Sequence, residues 1–546
     1  MTAEAAGIGY RRLRAPADDA TALIEPPLSE IGQVLTRNRE FSRRHSLDLE
    51  GRPLAELVVS GRQELLAKAI DYTRQYRPVS WASSIPQTSP FILSGHQPTL
   101  FHPGVWLKNF LLSTLASHVG GIPINLIVDN DMLREVTIRV PVSTATGASV
   151  MSVEMDAGSE EAPYESRPIM ERAQFDTFGE RLLRELGAGP ASSVALIRQL
   201  WPFAVQAANR QSPQPALLGR CLAEARHRLE GELDLRTLEV PLSSVAETPS
   251  FHYFVAYLLR HLPKLFGVYN ESLADYRRAN RIRSHAHPVP ELAKDGEWLE
   301  APLWFMPLGQ RNRDRPYFQA NGTGTEFRVA GGATHRLEIA GPITTGGIAN
   351  ALQVASLQGV LLRPRALITT MYARLVLSDL FIHGIGGAKY DELTDAIIRR
   401  FFGLKPPEFV TATATVRLPI VRPPATLRDL RQLNRRIRDT IHSPESFAET
   451  YIGEHASEFR SLAARKRELI AEGWQKNEKP AWHDQVEKCN QRMTDLLASH
   501  HQQLHSQRER LLSDLHSARL LGSREFSFCL FSEEHLVPIL QKLTTM

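Results

Sequence analysis

Two short apolar runs, Phe91-Ile92-Leu93-Ser94 and Ile122 to Val128, bracket a segment of helical periodicity and constrain the fold most strongly. Between them Leu107, Phe110, Leu111 and Leu115 recur at helical spacing from Val105 to His118, and Gly120-Gly121 stops the pattern. Strand, turn, helix and strand within about 40 residues make a βαβ unit. Strands buried on both faces read as continuous apolar runs, so the two strands suit the interior of a parallel sheet. An α/β fold is therefore expected around residues 91–128.

The rest of the chain is arranged around that unit. Residues 1–88 read as a helical lead-in, with Leu54, Leu57, Val58, Leu65, Leu66 and Ile70 at helical spacing. Residues 89–420 form the α/β core with inserted connecting segments. Within them 135–170 is β-rich, 171–285 is helical, Leu367 to His383 is strongly amphipathic, and a helix runs from Tyr390 to Phe402. From 421 to 524, Leu430, Leu433, Ile437 and Ile441, then Met493, Leu497, Leu504, Leu511 and Leu515, fall three and four residues apart among charged residues. That spacing, broken near Pro444 and Pro480, predicts long helices paired as an antiparallel coiled coil and a route to a homodimer. Residues 525–546 are an apolar segment expected to fold back on the core.

Composition removes several function classes. Of 546 residues, 64 are basic and 60 acidic, giving a net charge of +4. Nucleic-acid binding needs a dense basic stripe, so no nucleic-acid partner is expected. Cys221, Cys489 and Cys529 are far apart, which excludes a disulfide scaffold or a thiolate zinc knuckle, and no metal is expected. Met1 to Pro16 lacks an apolar signal core, and no apolar stretch is long enough to span a bilayer. These features predict a cytoplasmic protein with no membrane partner and a small-molecule substrate. H-E-x-x-H and G-x-S-x-G are absent, so a zinc protease or an α/β-hydrolase has no support.

Ligands of open α/β sheets bind beyond the carboxyl ends of the strands. One run ends at Ser94-Gly95-His96-Gln97 and the next at Asp129-Asn130-Asp131. A helix starting near Gly104 points free N–H groups at the same crevice, an anion site. His96, His102, Asp129 and Asp131 are the candidate catalytic residues: the histidines as general acid or base, the aspartates to orient an amine. Ser94, Gly95, Gln97, Gly104, Lys108, Asn109 and Asn130 are the candidate substrate-binding residues. The competing reading is structural, with His96 and His102 pinning the turn and Asp129 capping the next element. Arg363 and the glycine-rich turn Gly384-Ile385-Gly386-Gly387, with Lys389 just beyond, are candidate anion or nucleotide contacts. The turn lacks P-loop spacing, and close packing between helices is the alternative reason for its glycines.

The order of these motifs resembles the bacillithiol-biosynthesis cysteine-adding enzymes of the BshC type. Ser94-Gly95-His96-Gln97 with Leu100-Phe101 is similar to that family's T-G-Q-Q-x-x-L-F. Asp129-Asn130-Asp131 with Glu135 is similar to its E-D-H-D-x-x-E, and Leu361-Leu362-Arg363-Pro364 to its L-L-R-P before a G-G turn, here Gly386-Gly387. His96 stands where the family has glutamine, and Asn130 where it has histidine. Pro103-Gly104 reverses the family's G-P order, and Lys108 is displaced from its lysine. The resemblance implies a Rossmann-like, nucleotidyltransferase-like core, a connecting domain and a C-terminal helical coiled coil. It also implies a ligase that joins the amine of cysteine to glucosaminyl malate, with ATP or ADP as candidate cofactor. Two other readings stay open: a Rossmann-type nucleotidyl transferase, and a non-catalytic, nucleotide-sensing dimeric scaffold.

Overall fold

A computed structural model of the chain describes residues 13–44, 47–86, 88–133, 136–144, 147–158, 161–187, 195–307, 312–319, 326–329, 332–339, 343–475 and 478–545; Glu135 lies outside them. The central sheet consists of β1 (Thr21–Glu25), β2 (Phe91–His96), β3 (Ile122–Ile127), β4 (Leu238–Pro241), β5 (Leu380–His383) and β6 (Val410–Thr415). Their order across the sheet is β1-β6-β5-β2-β3-β4. All neighbours are parallel except the edge pair β1 and β6. The strand order reverses between β2 and β5.

Helix Pro103–Val119 connects β2 to β3. Pro103 occupies its first turn, the His102 ring accepts a hydrogen bond from the Gly104 N–H, and Gly120 ends it at φ 64°. Trp106, Leu107, Phe110, Leu111, Leu112 and Leu115 are buried around the whole circumference, as an interior helix requires. Register and alternation divide the sheet into two unlike faces. Leu93, Ile124, Leu126, Leu238 and Val240 join the main apolar core on one face, with Leu57 and Leu65 of helix Leu54–Thr73. The other face carries Ser94, Asn125 and Glu239 in one lateral row. Trp106, Asn109, Arg226 and Glu230, from helices Pro103–Val119 and Leu218–Glu232, bond into that row. The polar face therefore lies inside the protein and not against water.

Three short strands depart from the expected elements. β1 lies in the lead-in read as helical. β4 sits inside the stretch read as helices. β5 takes the end of the amphipathic segment, which instead runs as helix Ala366–Tyr372, a π-helical turn Ala373–Leu377 and then strand. Four or five residues are too few to show a periodicity, so tertiary pairing decides their state. The glycine-rich turn is likewise the first turn of helix Ile385–Ile397, not a loop before it.

A second, antiparallel sheet follows, formed by Lys294–Asp295, Trp298–Glu300, Tyr317–Gln319, Glu326–Arg328 and Thr334–Arg336. Leu303–Pro307 pairs separately with Val360–Pro364. The C-terminal segment returns to helix Pro103–Val119: Phe528 stacks on Trp106 at 4.3 Å, and its N–H donates to the Phe101 carbonyl at 2.9 Å.

The chain divides into two compact units, and Leu418–Ser523 with Pro141–Met151 forms the smaller. Helices Leu427–His442, Ala456–Glu472, Lys479–Leu496 and Ala498–Leu521 build it. Arg508 contacts Asn434 and His501 contacts Thr440, so the first and last helices run antiparallel. Arg492 contacts Glu458 and Trp482 contacts Leu469, so the middle pair does too. Phe447, Phe459, Ala463, Met493 and Leu497 form this unit's own core. Among the described residues, no helix is long and apolar enough to cross a membrane.

Candidate functional site

Beyond β3 the chain turns at Asp129-Asn130-Asp131, and a strap at Ala162–Glu165 is tied across this turn. Tyr164 N–H donates to the Asp131 carbonyl at 3.0 Å and Glu165 N–H to the Asp129 carbonyl at 2.8 Å. Asp129, Glu165, Ser243, Glu247, Arg220 and Arg363 line a cavity of about 450 Å³ at this edge. The Asp129 carboxylate accepts from the Ser243 N–H at 2.9 Å and its hydroxyl at 2.5 Å. Burial, with Glu165 beside it, nevertheless lifts the Asp129 carboxyl to about 7, against the Ser243 hydrogen bonds and Arg363. A carboxylate poised there takes up and releases protons at neutral pH.

Arg363 belongs to this cavity. Its guanidinium donates to Glu165 at 2.9–3.1 Å and to Glu247 at 3.0 Å. Leu361-Leu362-Arg363-Pro364 therefore places its arginine among carboxylates at the strand ends. Asp131 faces a neighbouring cavity of about 590 Å³ with Gln97, Thr99, Leu133 and Met155, and Tyr164 lines both cavities. Gln97 Nε2 donates to Asp131 at 3.1 Å, and Arg313 approaches the other carboxylate oxygen at 3.3 Å. Asn130 holds the turn, donating to the Pro364 carbonyl at 2.8 Å and accepting from Arg313 at 2.9 Å.

The two histidines line neither cavity. His96 is buried, edge-on to Phe101, with Nε2 at 3.2 Å from Asn109 Oδ1 and Nδ1 at 3.2 Å from the Gln97 carbonyl. Burial, then Arg226 and Lys108, hold it well below its usual value, so its ring is neutral. His102 Nδ1 caps helix Pro103–Val119 and Nε2 lies 3.4 Å from Glu525; burial pulls it to about 4. Gly104 lets that helix start against β6: a Cβ there would meet the Ala414 carbonyl, Arg524 and His102. Lys108 Nζ donates to the Gly95 carbonyl at 2.7 Å, and burial followed by Arg226 lowers it to about 7. Ser94 Oγ donates to the Ile382 carbonyl at 3.1 Å.

Asn109 opens a network the sequence reading did not single out. Its amide and Trp106 Nε1 donate to Glu230 at 2.6 and 2.8 Å, and Arg226 bonds both Glu230 and Glu239. His227, Glu230 and Glu239 bring possible metal-ligand atoms within 4.8 Å of one another. The Arg226 guanidinium already occupies the cationic position between both carboxylates, and His227 is engaged by Tyr76 and Thr237. Glu239, a charged residue inside an apolar four-residue strand, is a local signal of this seam, as is Asn125 inside the apolar run of β3. Ser243 and Glu165 carried no such signal, because distant loops bring them to Asp129.

Beyond the carboxyl end of β5, Gly384 is the N-cap of helix Ile385–Ile397, Gly386 and Gly387 lie in its first turn, and Lys389 is its fifth residue. Gly386 and Lys389 are exposed. No family model and no curated protein matches this chain.

Proposed function

We propose that this protein is a small-molecule ligase resembling the cysteine-adding enzymes of bacillithiol biosynthesis. It would join an amine- or thiol-bearing substrate to a sugar-type or carbonyl-bearing partner at the carboxyl edge of the central sheet. The observation that carries this reading is Asp129: a buried carboxyl lifted to about 7, lining a cavity with Glu165 and Arg363. As an amine attacks a carbonyl carbon it must lose a proton, and Asp129 is the group positioned to accept it. The acidic rim of Glu165 and Glu247 suits a cationic amine, while Arg363 and Arg220 suit a carboxylate on the partner. His96 and His102 then act on this site by holding the strand end and the helix start, not by moving protons.

The test supplies L-cysteine and glucosaminyl malate, with and without ATP, and follows by mass spectrometry a product equal to their sum less one water. The apparent kcat/KM should rise with pH through about 7, the window in which Asp129 loses its proton. Asp129→Asn should lower the rate by about 10²–10⁴ and remove that limb of the profile. An unchanged rate in Asp129→Asn overturns the assignment.

A second reading rests on strand order. Five parallel strands with a reversal between β2 and β5 suit a Rossmann-like, nucleotidyltransferase-like core that takes ATP or ADP. Pyrophosphate release from ATP would favour a nucleotidyl transferase. Thermal stabilisation by ADP without any product would favour a nucleotide sensor. Dimerisation through the C-terminal helices belongs to the same proposal and is read by sedimentation of the full chain.

A further inference from the structure

Charge is unevenly placed on the smaller unit. Its two middle helices pair opposite signs: Lys488 meets Asp484 at 2.7 Å, Arg492 meets Glu458 at 2.7 Å and Arg465 meets Glu468 at 3.4 Å. Helix Leu427–His442 is arranged differently. Arg428, Arg431, Arg435 and Arg438 recur every three or four residues, His442 continues the row, and all five side chains are exposed. Residues at those spacings share one helix face, so they form a straight stripe, about 15 Å long from Arg428 to Arg438. Another side of the helix packs: Leu433 and Ile437 are half-buried, and buried Thr440 bonds His501 at 2.6 Å.

The helix carries two acids, and neither neutralises the stripe. Asp429 is tied back to Thr426 at the helix start, accepting from its N–H at 2.9 Å and its hydroxyl at 2.6 Å. Asp439 reaches only Arg438, at 3.6 Å. Arg428, Arg431 and Arg435 form no ion pair among the described residues. Like charges three and four residues apart repel one another and cost helix stability. A face that only meets water avoids this cost by mixing signs, as the two middle helices do. The row of guanidiniums is held against a penalty that an anionic partner would remove.

We propose that the arginine stripe of helix Leu427–His442 binds the phosphate backbone of a nucleic acid. Phosphates repeat along a strand as a line of single charges, which a straight stripe complements. A compact small anion would engage only one or two of these arginines. Guanidinium groups take phosphate oxygens bidentately. The stripe has no aromatic member to stack on a base and no apolar member to enter a bilayer, so its contacts are electrostatic and independent of base sequence. The expectation of no nucleic-acid partner rested on the net charge of +4, which averages this stripe over 546 residues. The proposal does not rest on Asp129 or on the ligase reading.

Fluorescence anisotropy of the full-length protein with short labelled DNA and RNA duplexes of arbitrary sequence tests this. Binding should weaken with salt, with a slope of log affinity against log salt of about −4 for four phosphate contacts. Arg431→Gln combined with Arg435→Gln should weaken binding about tenfold or more and make that slope shallower by about 2. The same double variant should leave Tm unchanged or higher, because it relieves repulsion. Lys488→Gln combined with Arg492→Gln removes the same charge from the paired helices and should leave affinity and slope unchanged. A preference between the two duplexes names the source of the backbone. The proposal is overturned if neither duplex binds, if affinity does not fall with salt, or if the Lys488 and Arg492 variant weakens binding as much as the stripe variant. Tighter binding to phosphatidylserine vesicles or to polyglutamate than to either duplex overturns it as well.

Discussion

Asp129 and Lys108 are both buried ionisable groups, and burial moves them in opposite directions, each to about 7. Asp129 is raised, so its contribution to stability is fully present below about pH 4 and is lost as pH rises through 7. Lys108 is lowered, so its contribution is present above about pH 10 and is lost as pH falls through 7. Together they place a trough in folding stability near neutral pH, each side worth on the order of a few kcal/mol. Urea denaturation at a series of pH values should show that Asp129→Asn flattens the acid side and Lys108→Met the alkaline side. If neither substitution changes the slope, the two groups are not desolvated as described. At this scale the sequence placed Asp129 at a strand end, but not its company. Ser243, Glu165 and Arg363 are separated from it by tens to hundreds of residues, and no local pattern links them.

Helix Pro103–Val119 was legible as an element because its apolar residues, its proline start and its glycine stop are all local signals. What it does at its first turn was not. The expected anion pocket at Gly104 is occupied by the protein itself: the His102 ring caps the turn, and Ala414 and Arg524 close over it. Gly104→Ala should therefore cost about 1–3 kcal/mol by overpacking, seen as a lower urea midpoint with an unchanged slope. The strands β4 and β5 were illegible for the opposite reason. At four residues each, and buried on both faces, they have neither alternation nor length to separate them from helix. Their register against β3 and β2 supplies what the local sequence lacks.

Two compact units with separate cores imply that unfolding of the whole molecule is not a single transition. Phe459 is fully buried in the smaller core. Phe459→Ala should cost that unit about 3–5 kcal/mol and lower one calorimetric transition, while the transition of the larger unit stays in place. A uniform shift of all unfolding would show instead that the chain melts as one body. The sequence by itself determined the local elements with strong periodicity: the βαβ unit of 91–127, the helices of the C-terminal quarter, and their breaks. These follow from side-chain spacing and from capping residues, which act over a few positions. Only the tertiary structure decided which strands neighbour one another, that one sheet face carries a buried charged seam, and that Asp129 meets Arg363. Those outcomes depend on desolvation and pairing between distant segments, and no short window of sequence contains both partners.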